Sequence, residues 1–161
     1  MTSAKFRRRA TPASPESIAM RALLDVNVLI ALFDSDHIDH ARARLWFGAE
    51  VHHGWASCAL TENGFVRVVS QPRYPSPVPT ALAIARLARA TQNEHHEFWP
   101  CALSLLDEQV FDRSRIHGPR QVTDAYLLAL AATHGGRLVT FDQTIALESV
   151  VGARAANLVV L

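Results

Sequence analysis

Four short apolar segments of this chain each carry a single acidic residue at the edge. Asp25 follows Leu23-Leu24 and precedes Val26-Asn27, and Glu62 sits in Leu60-Thr61-Glu62-Asn63. Asp124 lies in Val122-Thr123-Asp124-Ala125, and Asp142 closes Val139-Thr140-Phe141-Asp142. A carboxylate at the margin of a core is costly unless its charge is compensated. No run of Lys or Arg lies beside any of the four in sequence. A hard divalent cation held through oxygen would compensate them, which directs the reading towards metal-dependent chemistry.

The spacing of apolar residues says how such acids meet. Residues 21–26 suit a buried strand, with helix predicted at 27–33 and again from about 37 to 49. A second strand is predicted at 54–58, a helix at 60–70 with Glu62 in its first turn, and a proline-rich loop at 72–79. Helices come next at 80–92 and 100–107, then a minor strand at Val110-Phe111-Asp112 and a polar loop at 114–121. A strong helix at 122–133 ends at Gly135-Gly136, and strands at 137–140 and 158–160 complete the chain. Alternating strands and helices predict a layered α/β fold around a mostly parallel sheet. In such sheets, sites gather outside the carboxyl ends of the strands. Asp25 and Asp142 fall at or just after strand ends, and Glu62 and Asp124 in opening turns of helices, so all four are expected on one edge.

Three or four carboxylates, with water completing the shell, suit Mg²⁺ or Mn²⁺ better than zinc. Such an ion activates water and stabilises charge on a phosphodiester. Asn27, Thr140 and Thr123 offer short polar side chains able to orient carboxylates or waters. Simpler readings compete. Glu62 and Asp124 are expected, on this view, to cap helices or offset their dipoles, an effect under about 1 kcal/mol at an exposed end. Asp142 is equally placed to cap a helix after it. Asp25 has no capping partner as obvious.

Length and charge narrow the class. At 161 residues the chain is read as one domain, residues 20–161, preceded by a leader at 1–19. The leader carries Lys5, Arg7, Arg8 and Arg9 against Glu16, a net +3, so the remainder is 1 − 3 = −2. The folded part is therefore no basic nucleic-acid sponge. The leader reads as disordered; a misassigned start before Met20 and a basic RNA-binding arm are the competing explanations. No apolar run reaches the length of a bilayer span. Cys58 and Cys101 lack disulfide or zinc spacing and read as core thiols of a cytoplasmic protein.

At the four acidic contexts the chain resembles the VapC-type PIN-domain ribonuclease toxins of toxin–antitoxin systems. The resemblance spans roughly residues 21–161 and is carried by Leu23-Leu24-Asp25-Val26-Asn27-Val28-Leu29-Ile30-Ala31-Leu32, Thr61-Glu62-Asn63-Gly64-Phe65-Val66-Arg67-Val68, Gln121-Val122-Thr123-Asp124-Ala125-Tyr126-Leu127 and Leu138-Val139-Thr140-Phe141-Asp142. It implies a Rossmann-like α/β/α sandwich and an endoribonuclease dependent on Mg²⁺, with Mn²⁺ able to substitute. Asp25, Glu62 and Asp124 match the family's core acids, and Asp142 its less constant fourth. It further implies an RNA substrate of the tRNA or rRNA class, a cognate VapB-like antitoxin and a homodimer. A groove near residues 27–47 is expected to receive the antitoxin's helix.

Other residues compete for attention. Arg113, Arg115 and Arg120 precede the Asp124 helix and are candidates for phosphate contact, Arg120 first by proximity. His52-His53 and His95-His96 lack a third ligand at suitable spacing and read as loop polar groups. His37 and His40 are expected to face solvent on a helix. Trp55 and Trp99 read as packing residues. A haloacid-dehalogenase-like phosphatase would require Asp where Asn27 stands and a core Lys, whereas the sole lysine is Lys5. The remaining alternative is a non-catalytic RNA- or protein-binding module of the same fold.

Overall fold

A computed structural model of the chain describes residues 19–161, so the reading of 1–19 as a disordered leader lies, Ala19 apart, outside the described residues. The elements, in order, are β1 Ala22–Leu24, α1 Val26–Phe33, α2 His40–Glu50, β2 Trp55–Ser57 and α3 Ala59–Val69. They continue with α4 Thr80–Ala90, β3 His96–Phe98, α5 Gln121–Thr133, β4 Arg137–Thr140 and β5 Leu158–Val160. The five strands form one parallel sheet in the order β3-β2-β1-β4-β5. This is the expected α/β sandwich.

Alternation along the strands divides the core in two. Leu23 and Leu138 point to one face, where Leu127, Leu128, Leu130 and Ala131 of α5 cover them. Ala22, Leu24 and Val139 point to the other, packing on Val28 and Leu29 of α1, Phe65 of α3 and Leu87 of α4. Burial on both faces explains why β1 and β4 read as continuous apolar runs. Trp55 and Trp99 are both core residues, as expected.

Arg21 ties the amino ends of three strands together. Its guanidinium donates to the carbonyls of Trp55 and His95 and pairs with Glu97 at 2.9 Å. Gly54, just before β2, makes room for it. Its φ of +87° favours glycine, and a Cβ there would sit 2.5 Å from the Arg21 guanidinium.

The structure corrects four local expectations. Residues 100–107 are not a helix: they run as irregular turns, with Cys101 and Leu103 half-buried against the α5 side and Leu105 and Leu106 exposed. The predicted strand at Val110–Asp112 reduces to a single antiparallel bridge between Phe111 and Val150. His96 is not a loop residue but opens β3, an edge strand that apolar patterning does not reveal. His40 begins α2 and turns its Nδ1 to the Ala31 carbonyl at 2.7 Å rather than to solvent.

Candidate functional site

Because all strands are parallel, their carboxyl ends share one edge, and β1, β2 and β4 each deliver a polar residue there. Thr140, the last residue of β4, is fully buried. Its hydroxyl donates to Asp25 Oδ2 at 2.7 Å, and accepts from Asn27 Nδ2 at 3.2 Å and from the Asp142 N–H at 3.0 Å. One donor and two acceptor positions are thereby all used. Asn27 accepts in turn from the Phe141 N–H at 3.3 Å. The β1–α1 and β4 turns are thus locked to each other through two side chains, Asn27 and Thr140, both expected to support the acids.

Asp25 immediately follows β1 and is only 8% exposed. It caps α1, Oδ1 accepting from the Val26 N–H at 2.7 Å. Capping or dipole compensation was the competing explanation for Glu62 and Asp124; both lie in first turns, where they offset the helix dipole, yet neither caps. The start of α3 is closed by Thr61 Oγ1 accepting from the Cys58 N–H at 3.0 Å, and α5 has no side-chain cap. A cap contributes about 1 kcal/mol. That is smaller than the several kcal/mol lost on burying an uncompensated carboxylate, so capping alone does not account for Asp25.

Electrostatics join three of the acids. Burial raises the Asp25 pKa above its usual value in spite of its hydrogen bonds to Thr140 and Val26, and the Asp142 charge adds to the effect. Asp124, in the first turn of α5, is pushed up to about 6, first by burial and then by the charges of Asp25 and Asp142. Asp142 goes the other way: the Thr144 hydroxyl and N–H, both 2.7 Å from its Oδ1, hold it below the usual carboxylate range. That turn, rather than a helix cap, is its local role. Among the described residues, none of the four acids pairs with Arg or His.

Glu62 is bonded differently. It is half-buried in the first turn of α3, and its Oε1 accepts from the Ser57 hydroxyl at 2.6 Å. Ser57 Oγ lies 2.8 Å from His96 Nε2. Ser57 does not stand out in the sequence, and His96 reads there as a loop polar group; the available signal is that Ser57 ends a strand, as Thr140 does. Among the described residues, no group of three His, Cys, Asp or Glu side chains already stands as a ligand set for an ion. Thr123 is exposed and bonds to none of the acids.

The three arginines differ as well. Arg113 pairs with Glu108 at 2.5 Å and Arg115 with Asp112 at 3.9 Å. Arg120 precedes α5, is exposed, and makes no ion pair among the described residues.

Comparison with known proteins meets this geometry from another direction. The family model of the PIN domain matches residues 22–147. Ribonuclease VapC44 of Mycobacterium tuberculosis is 65% identical over 142 residues, covering 88% of this chain and 100% of that protein. Ribonuclease VapC38 of the same organism is 50% identical over 125 residues, covering 75% of this chain and 84% of its own length. Ribonuclease VapC39 is 47% identical over 128 residues, covering 79% and 92% respectively. The chain belongs to the PIN-domain family and is of the VapC type.

Proposed function

We propose that this protein is the toxin of a type II toxin–antitoxin pair, an endoribonuclease that hydrolyses RNA phosphodiester bonds with Mg²⁺, or Mn²⁺ in its place. The observation that carries this is Asp25: a buried carboxylate raised in pKa, beside Asp124 and Asp142, with no ion pair to any of the three among the described residues. The donor set fits a hard cation, being oxygen throughout. Each engaged carboxylate also keeps acceptor capacity beyond its protein hydrogen bonds. Asp25, Glu62, Asp124 and Asp142 would hold the ion partly through water, as suits a cation that sheds its hydration reluctantly. When bound, the ion supplies an activated water and neutralises charge on the phosphate.

The chain's own residues prepare that chemistry. Thr140 and Val26 engage opposite oxygens of Asp25 and fix its plane, and Asn27 fixes Thr140. Thr144 fixes Asp142. Asp124 faces the other two from the start of α5, where the helix field favours its charge. Arg120, four positions ahead and free of carboxylate partners among the described residues, is the first candidate to meet an RNA phosphate, with Arg115 and Arg113 behind it. The substrate would be a tRNA or rRNA, and the protein a homodimer.

The partner would be a VapB-like antitoxin. Leu29, Leu32, Phe33, Phe47 and Val51 line a cavity of about 410 Å³ beside α1 and α2 that suits the apolar face of a helix.

The test is direct. The purified protein should cut RNA with Mg²⁺ or Mn²⁺ and stop with EDTA, and Asp25→Asn should cut at least tenfold more slowly. Equal cutting by that variant would overturn the mechanism. Saturable metal binding without cutting of any RNA would favour the non-catalytic alternative.

A further inference from the structure

Glu62 depends on a second pair of side chains, separate from the Thr140 network. Ser57, the last residue of β2, is fully buried, and its hydroxyl donates to Glu62 Oε1 at 2.6 Å. A hydroxyl has one proton to give. With that proton committed to Glu62, the 2.8 Å contact to His96 Nε2 must run the other way, from a ring N–H to Ser57 Oγ. The tautomer is therefore fixed, with the proton on Nε2 and Nδ1 left as the acceptor. The His96 ring is itself held, packed 4.4 Å from the Trp55 ring in the adjacent strand. Trp55 is part of the core.

We propose that Ser57 and His96 are positioning residues for Glu62: a chain from the β3 imidazole through the β2 hydroxyl holds Oε1 and so sets which oxygen Glu62 presents to a divalent cation. Among the described residues, Ser57 is the sole hydrogen-bond partner of the Glu62 carboxylate. Without it, a half-exposed glutamate has three rotatable bonds and no fixed orientation. The arrangement parallels that at the end of β4. There Thr140 donates to Asp25 and is backed by Asn27; here Ser57, at the end of β2, donates to Glu62 and is backed by His96. Each strand-end hydroxyl orients one acid, and each has a second side chain directing its proton. The proposal rests on the metal-dependent reading above, because it concerns how one carboxylate of that set is aimed.

The experiment is Mn²⁺ titration by calorimetry at neutral pH, with thermal melting of each variant to confirm folding. Removing an outer partner of a metal ligand weakens affinity by about 10–100-fold. Ser57→Ala and His96→Leu should therefore each weaken Mn²⁺ binding at least about tenfold. Ser57→Thr, which keeps the hydroxyl, and His96→Gln, which keeps an N–H donor, should stay within about threefold of the unsubstituted protein. In a Glu62→Gln background, Ser57→Ala should cause no further loss, because its effect passes through Glu62. If Glu62→Gln weakens binding but Ser57→Ala does not, the positioning role is wrong and the metal site stands. If the unsubstituted protein shows no saturable Mn²⁺ binding, both readings fall. Should His96→Leu fail to fold, Ser57→Ala alone decides, since it removes one oxygen and leaves the Cys58–Thr61 start of α3 intact.

Discussion

Thr140 and Asp25, 115 positions apart in sequence, meet through a 2.7 Å hydrogen bond in which the buried Thr140 hydroxyl donates to Asp25 Oδ2. That bond opposes the burial that raises the Asp25 pKa. Hydrogen bonds to charged groups contribute about 1.5–3 kcal/mol. Thr140→Val keeps the shape but removes the donor, and also strands the Asp142 N–H and Asn27 Nδ2 that bond to it. The variant should lose roughly 2 kcal/mol in urea unfolding. Its Asp25 carboxyl, followed by ¹³C NMR titration, should titrate at higher pH. Thr140→Ser should retain both properties; a valine variant with the wild-type titration would refute the role.

Asp124 predicts a pH dependence with a definite sign. Its folded pKa of about 6 lies above the ordinary carboxyl value of 3.8, so between these values the folded state holds more protons than the unfolded one. Stability should therefore fall as pH rises from about 4 to about 6, and change no further through this group above that. Asp124→Asn removes the penalty. In EDTA at pH 7.5 it should be more stable by roughly 1 kcal/mol, discounted because the group is half-exposed. The advantage should shrink steadily towards pH 4.5, as read by urea unfolding. An advantage independent of pH would mean that neither burial nor the charges of Asp25 and Asp142 raise the Asp124 pKa.

A divalent cation should reverse that order. A ligand at about 100 times its Kd stabilises the folded state by about 2.7 kcal/mol, which exceeds the roughly 1 kcal/mol expected from Asp124→Asn. With Mn²⁺ near that level the unsubstituted protein should melt above the variant, and EDTA should restore the metal-free order. No change of order on adding Mn²⁺ would count against carboxylate ligation.

Gly136 offers a control away from the acids, at the opposite end of β4. A Cβ there would sit 2.7 Å from the Arg21 carbonyl and 2.5 Å from the Trp99 ring. The backbone cannot yield as a flexible side chain would, so Gly136→Ala should destabilise by about 1–3 kcal/mol. Mn²⁺ affinity of the folded fraction should be unchanged. Loss of affinity without loss of stability would contradict this placement.

Legibility in the sequence tracks burial. β1 and β4 are covered on both faces, so their apolar runs are plain, and the acids ending them stand out against that background. Asn27 and Thr140 are readable because they adjoin those acids. β3 is not, because His96-Glu97-Phe98 is an edge strand whose residues are half-buried or exposed. The stretch at 100–107 misleads for the opposite reason. Its leucines resemble a helix face, but Cys101 and Leu103 alternate inward while Leu105 and Leu106 lie exposed. Ser57 escapes notice, and His96 reads only as a loop group, because their link exists only once β2 and β3 pair. Capping, too, falls to a different acid from those the sequence suggests. Asp25 is the residue that caps, and its capping and its burial come from the same tight β1–α1 turn.

Asp25 and its neighbouring carboxylates, on this account, exist to hold a divalent cation. Mn²⁺ titration of the purified protein and of Asp25→Asn by calorimetry at pH 7.5 tests that most directly. Saturable binding by the unsubstituted protein, weakened at least tenfold in the variant, is the predicted result. Equal binding by the two proteins, or no saturable binding by either, would contradict it.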